Sequence, residues 1–169
     1  MTSVSLIRPA RPEDIDTIAA LHAAARATYY EGRIPVEEYA SPGVHAQVRE
    51  GWAAAIARPD GEVLCAETGG IVAAVTSFRA VEGDMVLKQF HVDPARWSRG
   101  IGGALHDAVV AAWQRDAVRE ARLDVYEHNL RAQRFYARHG WLPDEPAAGE
   151  PGGDHLCLRL DVPAAVARG

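Results

Sequence analysis

The sequence has few of the residues that mark disulfide-bonded or metal-binding proteins. Only two cysteines are present, Cys65 and Cys157, and neither they nor the seven histidines have the spacing of metal ligands. A disulfide would need oxidising surroundings, so we expect two reduced, partly buried thiols in a cytoplasmic protein. No metal is expected.

A long apolar run and an excess of positive charge are also lacking. No stretch approaches the roughly 20 apolar residues that cross a bilayer, and residues 1–16 lack the apolar core of a signal peptide. The 23 acidic residues outnumber the 18 Lys and Arg, which leaves a net charge of −5. This balance disfavours the phosphate backbone of a nucleic acid as a partner. We therefore expect neither a membrane nor a nucleic acid as a partner.

What the chain does contain is typical of a packed α/β domain. Its 169 residues are 48% hydrophobic, and a chain of this length buries roughly 70% of its unfolded surface. We predict one domain over residues 1–162 and a frayed tail over residues 163–169. Alternating apolar patterns and turn residues predict six strands, over residues 4–8, 62–67, 71–79, 85–92, 121–126 and 155–160.

Helical spacing is found between the strands. Pro12 suits the first turn of a helix, and one face of that helix carries Ile15, Ile18, Leu21, Ala25 and Tyr29. A second helix is predicted over residues 46–57, because we interpret Pro42 and Gly43 as breakers. Two more helices are predicted, one beginning near residue 101 and one over residues 132–139. Residues 143–153 are predicted to form a loop.

A glycine-rich segment follows the strand that ends at Val92 and the turn at Asp93-Pro94. It reads Arg99-Gly100-Ile101-Gly102-Gly103, and a helical pattern begins inside it. Glycines let a backbone approach a ligand closely, and the N–H groups of a helix start bind phosphate. No Gly-Lys-Ser or Gly-Lys-Thr follows, and Leu105 stands where a dinucleotide fingerprint has its third glycine. A tight turn without a ligand is the alternative interpretation.

A second motif about 25 residues later favours the ligand-binding interpretation of the glycine loop over a simple turn. It consists of Asn129, Ala132, Phe135, Tyr136, Gly140 and Trp141. Together the two motifs resemble the GNAT superfamily of acetyl-CoA-dependent N-acetyltransferases. That family has a Gln/Arg-x-x-Gly-x-Gly/Ala loop followed by Asn-x-x-Ala-x-x-Phe-Tyr-x-x-x-Gly-Phe/Trp. Gly100 and Gly102 match the loop glycines, whereas Trp97 occupies the Gln/Arg place.

The resemblance implies a fold and a cofactor. The fold is α/β, with a mixed, mostly antiparallel sheet that contains a central parallel strand pair and is flanked by helices. The cofactor is acetyl-CoA, whose diphosphate would lie over the glycine loop while its pantetheine arm runs along the preceding strand. The residues that this places around the cofactor are Phe90, His91, Val92, Trp97, Ser98, Arg99, Gly100, Ile101, Gly102, Gly103, Ala104, Asn129, Ala132, Phe135 and Tyr136.

Two side chains of the second motif have competing interpretations. By resemblance Asn129 contacts the cofactor arm, but asparagine is also a preferred helix N-cap. Tyr136 is the best candidate for a general acid, because a phenol can donate a proton to the leaving thiolate. Its alternative is a core aromatic on an apolar helix face.

The general base is less well determined. Some members of the family carry a glutamate on the strand before the glycine loop, but Val86 occupies that place here. Others use a carboxylate five residues before the asparagine, where Asp124 stands. His91 is the second candidate, because the histidine reference pKa of about 6.5 suits proton removal near neutrality. Glu127, His128 and a water relay are further alternatives, and Asp124 ranks slightly first.

The acceptor is expected to be a small-molecule or peptide amine. It would bind near an acidic and aromatic segment that contains Tyr29, Tyr30, Glu31, Glu37, Glu38 and Tyr39. These side chains would suit a cationic amine, although charged runs are usually solvated. A non-catalytic acyl-CoA-binding module of the same fold is the alternative function. Whether the protein is a monomer or a homodimer stays open.

Overall fold

The predicted fold is confirmed by a computed structural model that describes residue 4, residues 6–145 and residues 153–165. Seven strands form one sheet in the order β1-β2-β3-β4-β5-β7-β6. They span Leu6–Pro9 (β1), Gly61–Thr68 (β2), Ile71–Val81 (β3), Asp84–Val92 (β4), Glu120–Tyr126 (β5), Leu142–Asp144 (β6) and His155–Asp161 (β7). The sheet is mostly antiparallel, and β4 and β5 form its parallel pair, with Met85 opposite Ala121.

Five α-helices accompany the strands among the described residues. They are Ile15–Tyr30 (α1), Val36–Ala40 (α2), Pro42–Ala57 (α3), Ile101–Arg115 (α4) and Leu130–Arg138 (α5). Short 3-10 helices at Pro12–Asp14 and Pro94–Arg96 precede α1 and the glycine loop. None of the described helices is both long and apolar enough to span a bilayer.

The interpretation of Pro42 and Gly43 as breakers was wrong. The Ser41 hydroxyl accepts a hydrogen bond from the Val44 amide at 3.3 Å, so Ser41 is the N-cap of α3 and Pro42 occupies its first turn. Proline is favoured there because the first amides of a helix have no intrahelical acceptor. The short helix α2 was not predicted.

Contacts divide the chain into two compact units. The first consists of Met1–Phe78 and Gln89–Val109. Its core includes one cluster around Ile18 and Trp52 and another around Ile101 and Leu105. The middle of β3 is buried on both faces, in keeping with the apolar run from Val72 to Val75, and the buried Thr76 hydroxyl donates to the Gln89 carbonyl at 2.7 Å.

The second unit consists of Arg79–Lys88 and Val110–Gly169. Alternation in β5 buries Leu123 and Val125 while Asp124 is exposed, as predicted. Of the predicted loop, residues 143 and 144 instead pair with β7 as part of β6, and residues 146–152 lie outside the described part. The carbonyl of Pro163, in the predicted tail, accepts from Gln114 Nε2 at 2.9 Å. The single domain over residues 1–162 stays a prediction.

Both cysteines are free, as predicted. Cys65 is completely buried in the first core cluster, and Cys157 is half-buried. Burial raises the pKa of the Cys65 thiol to about 12, so this thiol stays protonated and behaves as a small apolar side chain.

Candidate functional site

The start of α4, at the junction between β4 and α4, follows two residues with positive φ angles. Ser98 and Gly100 have φ angles of 63° and 78°, and these left-handed positions reverse the chain just before the helix. The first helical hydrogen bond runs from the Ala104 amide to the Gly100 carbonyl at 3.1 Å. The amides of residues 101–103 therefore have no acceptor within the helix. Such a group of aligned N–H donors is a site for a phosphate.

Trp97, which departs from the family motif, braces this junction. Its indole N–H donates to the Val92 carbonyl at 3.2 Å. The neighbouring Arg96 donates to the Thr68 hydroxyl at 2.8 Å and lies 3.5 Å from the Asp93 carboxylate. Asp93 in turn accepts from the Ala95 amide at 3.0 Å. These contacts hold the loop to Val92 and Thr68 on the strands beside it.

The last residues of β4 present different groups on its two faces. Phe90 and Val92 pack against the cluster that contains Ile101 and Leu105. His91, between them in sequence, instead stacks on His22 of α1, with ring centroids 4.1 Å apart and planes inclined by 21°. The family-predicted backbone contacts at residues 90–92 therefore lie between an apolar cluster and a pair of histidines.

Hydrogen bonds fix how these two histidines are protonated. The indole of Trp52 only donates, and it reaches Nδ1 of His22 at 3.0 Å. This contact is shorter than the 3.2 Å between Arg26 Nη2 and Nε2 of the same ring, so we assign the proton of neutral His22 to Nε2. For His91, Nε2 lies 2.7 Å from Oε1 of Gln89, which assigns the proton to Nε2 and leaves the Nδ1 lone pair able to accept a proton.

Burial keeps both rings neutral. It lowers the pKa of His22 to about 4, and the charge of Arg26 adds to this shift. The pKa of His91 is lowered well below 6.5 by burial first, then by His22 and Arg26. Sequence reasoning missed His22, although it lies four residues after Ile18 and three before Ala25, on the predicted apolar face of α1.

The junction between β5 and α5 holds the other predicted catalytic residues. Asp124 is exposed, and the Cys157 thiol on the paired strand donates to its Oδ1 at 3.1 Å. Glu127 and His128 are also exposed, 3.4 Å apart. All three lie in the second unit, whereas His91 lies in the first.

Asn129 is the N-cap of α5. Its Oδ1 accepts from the Ala132 amide at 3.2 Å, and Gln133 Nε2 secures the same turn by donating to the carbonyls of Tyr126 and Glu127. This is the capping role that the sequence left as an alternative. The cap uses only Oδ1, so the side-chain NH₂ keeps its donors, and contact with a cofactor stays a prediction.

Tyr136 is buried, with 7% of its surface exposed. Its ring lies 5.5 Å from that of Phe135 and 5.9 Å from that of Trp141. Its backbone carbonyl accepts from the amides of His139 and Trp141 as the helix ends. The structure thus places Tyr136 among aromatic rings, and its role as an acid stays a prediction, as do the cofactor contacts of Ala132 and Phe135.

In the segment predicted to receive the acceptor, the aromatic side chains come together and the acidic ones do not. The Tyr29 and Tyr30 rings are 4.7 Å apart, and the Tyr30 and Tyr39 rings 5.8 Å. The carboxylates of the segment are exposed to solvent, at Glu31, Glu37 and Glu38. No group of three potential metal ligands occurs among the described residues.

Comparison with known proteins places this geometry in a family. A sequence profile described as the Acetyltransferase (GNAT) family matches residues 19–141, more than half of the chain. No protein of curated function matches the sequence significantly.

Solved structures show the same fold. PaiA N-acetyltransferase from Thermoplasma acidophilum, solved in complex with coenzyme A, aligns with a TM-score of 0.81 at 19% identity over 92% of this chain and 98% of its own. An acetyltransferase from Thermus thermophilus aligns with a TM-score of 0.71 at 17% identity over 95% and 99%. An acetyltransferase of the GNAT family from Staphylococcus aureus aligns with a TM-score of 0.72 at 13% identity over 94% of this chain and 99% of its own.

Proposed function

The chain belongs to the Acetyltransferase (GNAT) family, and from that premise we propose that it transfers an acetyl group from acetyl-CoA to an amine. The transfer is direct, with both substrates bound at once. The observation that carries the proposal is the β4–α4 junction, where amides 101–103 have no acceptor within the helix. This junction lies inside the part of the chain that matches the family profile.

The cofactor assignment follows the family motif. The diphosphate binds the loop and helix start formed by residues 97–104, and Arg99 adds positive charge there. The pantetheine arm runs along residues 90–92. Trp97 uses one lone pair of the Val92 carbonyl, and a carbonyl has two, so this carbonyl can still accept from the arm. Asn129, Ala132, Phe135 and Tyr136 keep the cofactor contacts that the motif gives them.

The reaction needs two proton transfers. The acceptor ammonium first loses a proton to a base. The neutral amine then attacks the thioester carbonyl, and the tetrahedral intermediate collapses as the carbon–sulfur bond breaks. The thiolate takes a proton from the Tyr136 phenol, so the products are the acetylated amine and CoA.

Of the candidate bases, His91 now has more support than Asp124. Its ring is neutral, and Gln89 directs the proton to Nε2, so Nδ1 is ready to accept. Asp124 already accepts from the Cys157 thiol. Asp124 remains the alternative, since a carboxylate oxygen accepts more than one hydrogen bond.

A non-catalytic acyl-CoA-binding module is the second candidate. Two departures from the family pattern favour it, Trp97 in the loop and Val86 in place of the strand glutamate. Such a module would bind CoA and release no thiol with any amine.

The experiment that tests the proposal is a screen of the purified protein with acetyl-CoA and a panel of amines. The panel contains amino acids, polyamines, aminoglycosides and short peptides, and the readouts are free thiol and the mass of the product. Thiol release that depends on an amine, with an acetylated product, is the expected result. CoA binding without amine-dependent release across the panel would favour the non-catalytic module.

A further inference from the structure

Arg26 on α1 stands apart from the other half-buried arginines of the first unit. Arg8 forms ion pairs with Asp14 and Glu67, each at 2.8 Å, and Arg96 lies 3.5 Å from Asp93. Arg26 is also half-buried, but none of the described carboxylates is paired with it. Because arginine is always charged and its partial burial costs solvation, a partner anion is expected there.

Arg26 donates a hydrogen bond to the neutral Tyr29 phenol, and its contact with His22 is between two donors. Its Nη2 lies 3.2 Å from Nε2 of His22. The Trp52 indole already donates to Nδ1 of His22, so Nε2 carries the ring proton and cannot accept from Arg26. Two N–H groups therefore converge with no acceptor between them. A carboxylate placed there would accept from both.

The groups around these donors supply no negative charge. The neutral His91 ring stacks on His22, and burial raises the pKa of Tyr29 to about 12, so its phenol stays protonated. The positive charge of Arg26 is felt by its neighbours, since it contributes to the lowered pKa of both histidines. The local field therefore favours an anion.

We infer that the acceptor carries a carboxylate close to its amine, as a free amino acid does, and that Arg26 and His22 bind this carboxylate. The inference rests on the proposed function, because the bound amine must reach the base. His91 is stacked on His22, so a carboxylate held by His22 brings an amine one or two bonds away close to the His91 ring. Peptide N-termini, polyamines and aminoglycosides lack this carboxylate.

Binding of the carboxylate would also strengthen His91 as a base. The groups that face the His91 ring are His22 and, through its charge, Arg26 on α1, together with Gln89 on β4. Trp52 of α3 contacts His22 and carries no charge. A carboxylate on Arg26 would offset the positive charge that lowers the pKa of His91, so the base would gain proton affinity only when the correct acceptor is bound.

Matched acceptors test this inference. The wild-type protein is assayed with phenylalanine and phenethylamine, histidine and histamine, and ornithine and putrescine, and with the methyl ester of each amino acid. We expect kcat/KM for at least one free amino acid to exceed that of its decarboxylated amine and its ester by about 10- to 150-fold, the range of a charge-assisted hydrogen bond. Equal rates with and without the carboxylate would overturn the inference while the proposed function stood.

Variants locate the effect. Arg26→Gln should lower kcat/KM for the preferred amino acid about 10- to 150-fold and should change that of its decarboxylated amine much less, through its effect on the pKa of His91 alone. Arg26→Lys keeps the charge but not the forked donors, so its kcat/KM for the amino acid should lie between those of the wild type and Arg26→Gln. Arg115→Gln, at an exposed arginine of α4, is the matched control and should change neither. Equal losses for both acceptors, or weaker CoA binding in Arg26→Gln, would contradict the inference.

The wild-type comparison decides the question even where a variant does not fold. Failure of the proposed function looks different from failure of this inference. In the first case no amine of any kind is acetylated, and in the second amines are acetylated without regard to a carboxylate.

Discussion

The two strand-to-helix junctions of the molecule, β4–α4 and β5–α5, begin their helices in opposite ways. At α5 the Asn129 side chain accepts from the Ala132 amide, and Gln133 Nε2 donates to the carbonyls of Tyr126 and Glu127. The start of α4 has a different backbone geometry. Ser98 and Gly100 adopt left-handed conformations instead, and amides 101–103 have no acceptor within the helix.

We propose that the difference separates a helix start that serves stability from one that binds a ligand. Leaving helix N–H groups without acceptors costs stability unless water or a ligand accepts from them. At α4 the glycines keep side chains away from the amides. Trp97 holds the loop through its hydrogen bond to the Val92 carbonyl. The four predictions that follow test this contrast and the chemistry attached to it.

Gly102→Val should have the largest effect, abolishing CoA binding while the protein stays folded. A β-branched side chain at the start of α4 would block the approach of a diphosphate to the amides. The measurement is the rise in melting temperature with CoA. Gly51→Val is the matched control, since Gly51 lies in α3 with open space around its Cβ position. Full CoA binding by Gly102→Val would show that the α4 start is only a turn.

Removal of the general base should lower turnover about 100- to 10,000-fold at neutral pH. The pKa of His91 is lowered in the free protein, so a His91 base stays deprotonated near neutrality, and kcat/KM falls only as the pH drops through that lowered pKa. His91→Gln should remove this acid limb, and Asp124→Asn should leave it in place.

If Asp124→Asn removes the acid limb and His91→Gln leaves it in place, Asp124 is the base. If both variants keep the wild-type profile, neither residue is the base, and a water relay or an already neutral amine explains the reaction. The position of the limb alone does not separate the candidates, because burial moves the pKa of His91 away from its usual value.

Tyr136→Phe should lower turnover by about 10- to 1000-fold with little change in CoA affinity, because only the proton donor is lost. Tyr126→Phe is the matched control, since Tyr126 is equally buried, at 7% exposed, and has no assigned role. Steady-state rates and a CoA titration are compared for both variants. An equal loss of CoA affinity in Tyr136→Phe would make Tyr136 a packing residue.

Asn129→Ala should have the smallest effect, a loss of about 1 kcal/mol of stability as the cap of α5 disappears. Asn129→Asp keeps an oxygen for the Ala132 amide but lacks the NH₂ donors. If the amide also contacts the cofactor, Asn129→Asp should melt near the wild-type temperature and bind CoA more weakly. Unchanged CoA affinity in both variants would confine Asn129 to capping.

Much of this fold could be predicted from the sequence because local patterns determine it. The alternation in β5 predicted that Asp124 would point away from Leu123 and Val125, and Gly140 does take the positive φ of 91° expected after a helix. Local signals also misled, since Pro42 begins α3 rather than preventing it. Ser41 was the signal that could have corrected this, because serine is a preferred N-cap.

The candidate site was less predictable because it depends on contacts between distant parts of the chain. The stacked rings of His22 and His91 come from α1 and β4, and the Trp52 bond that sets the tautomer comes from α3. No spacing of residues in the sequence predicts such a contact. That none of the described carboxylates pairs with Arg26 is likewise visible only in the folded structure.

A titration of the wild-type protein with CoA, followed by its melting temperature, tests most directly whether the open start of α4 is a cofactor site. At a hundredfold excess over Kd, a ligand that binds only the folded state adds about 2.7 kcal/mol of stability. For a protein of this size that corresponds to a rise of roughly 5–10 °C. The expected result is a rise in melting temperature that grows with the CoA concentration. An unchanged melting temperature at millimolar CoA would contradict the proposed function.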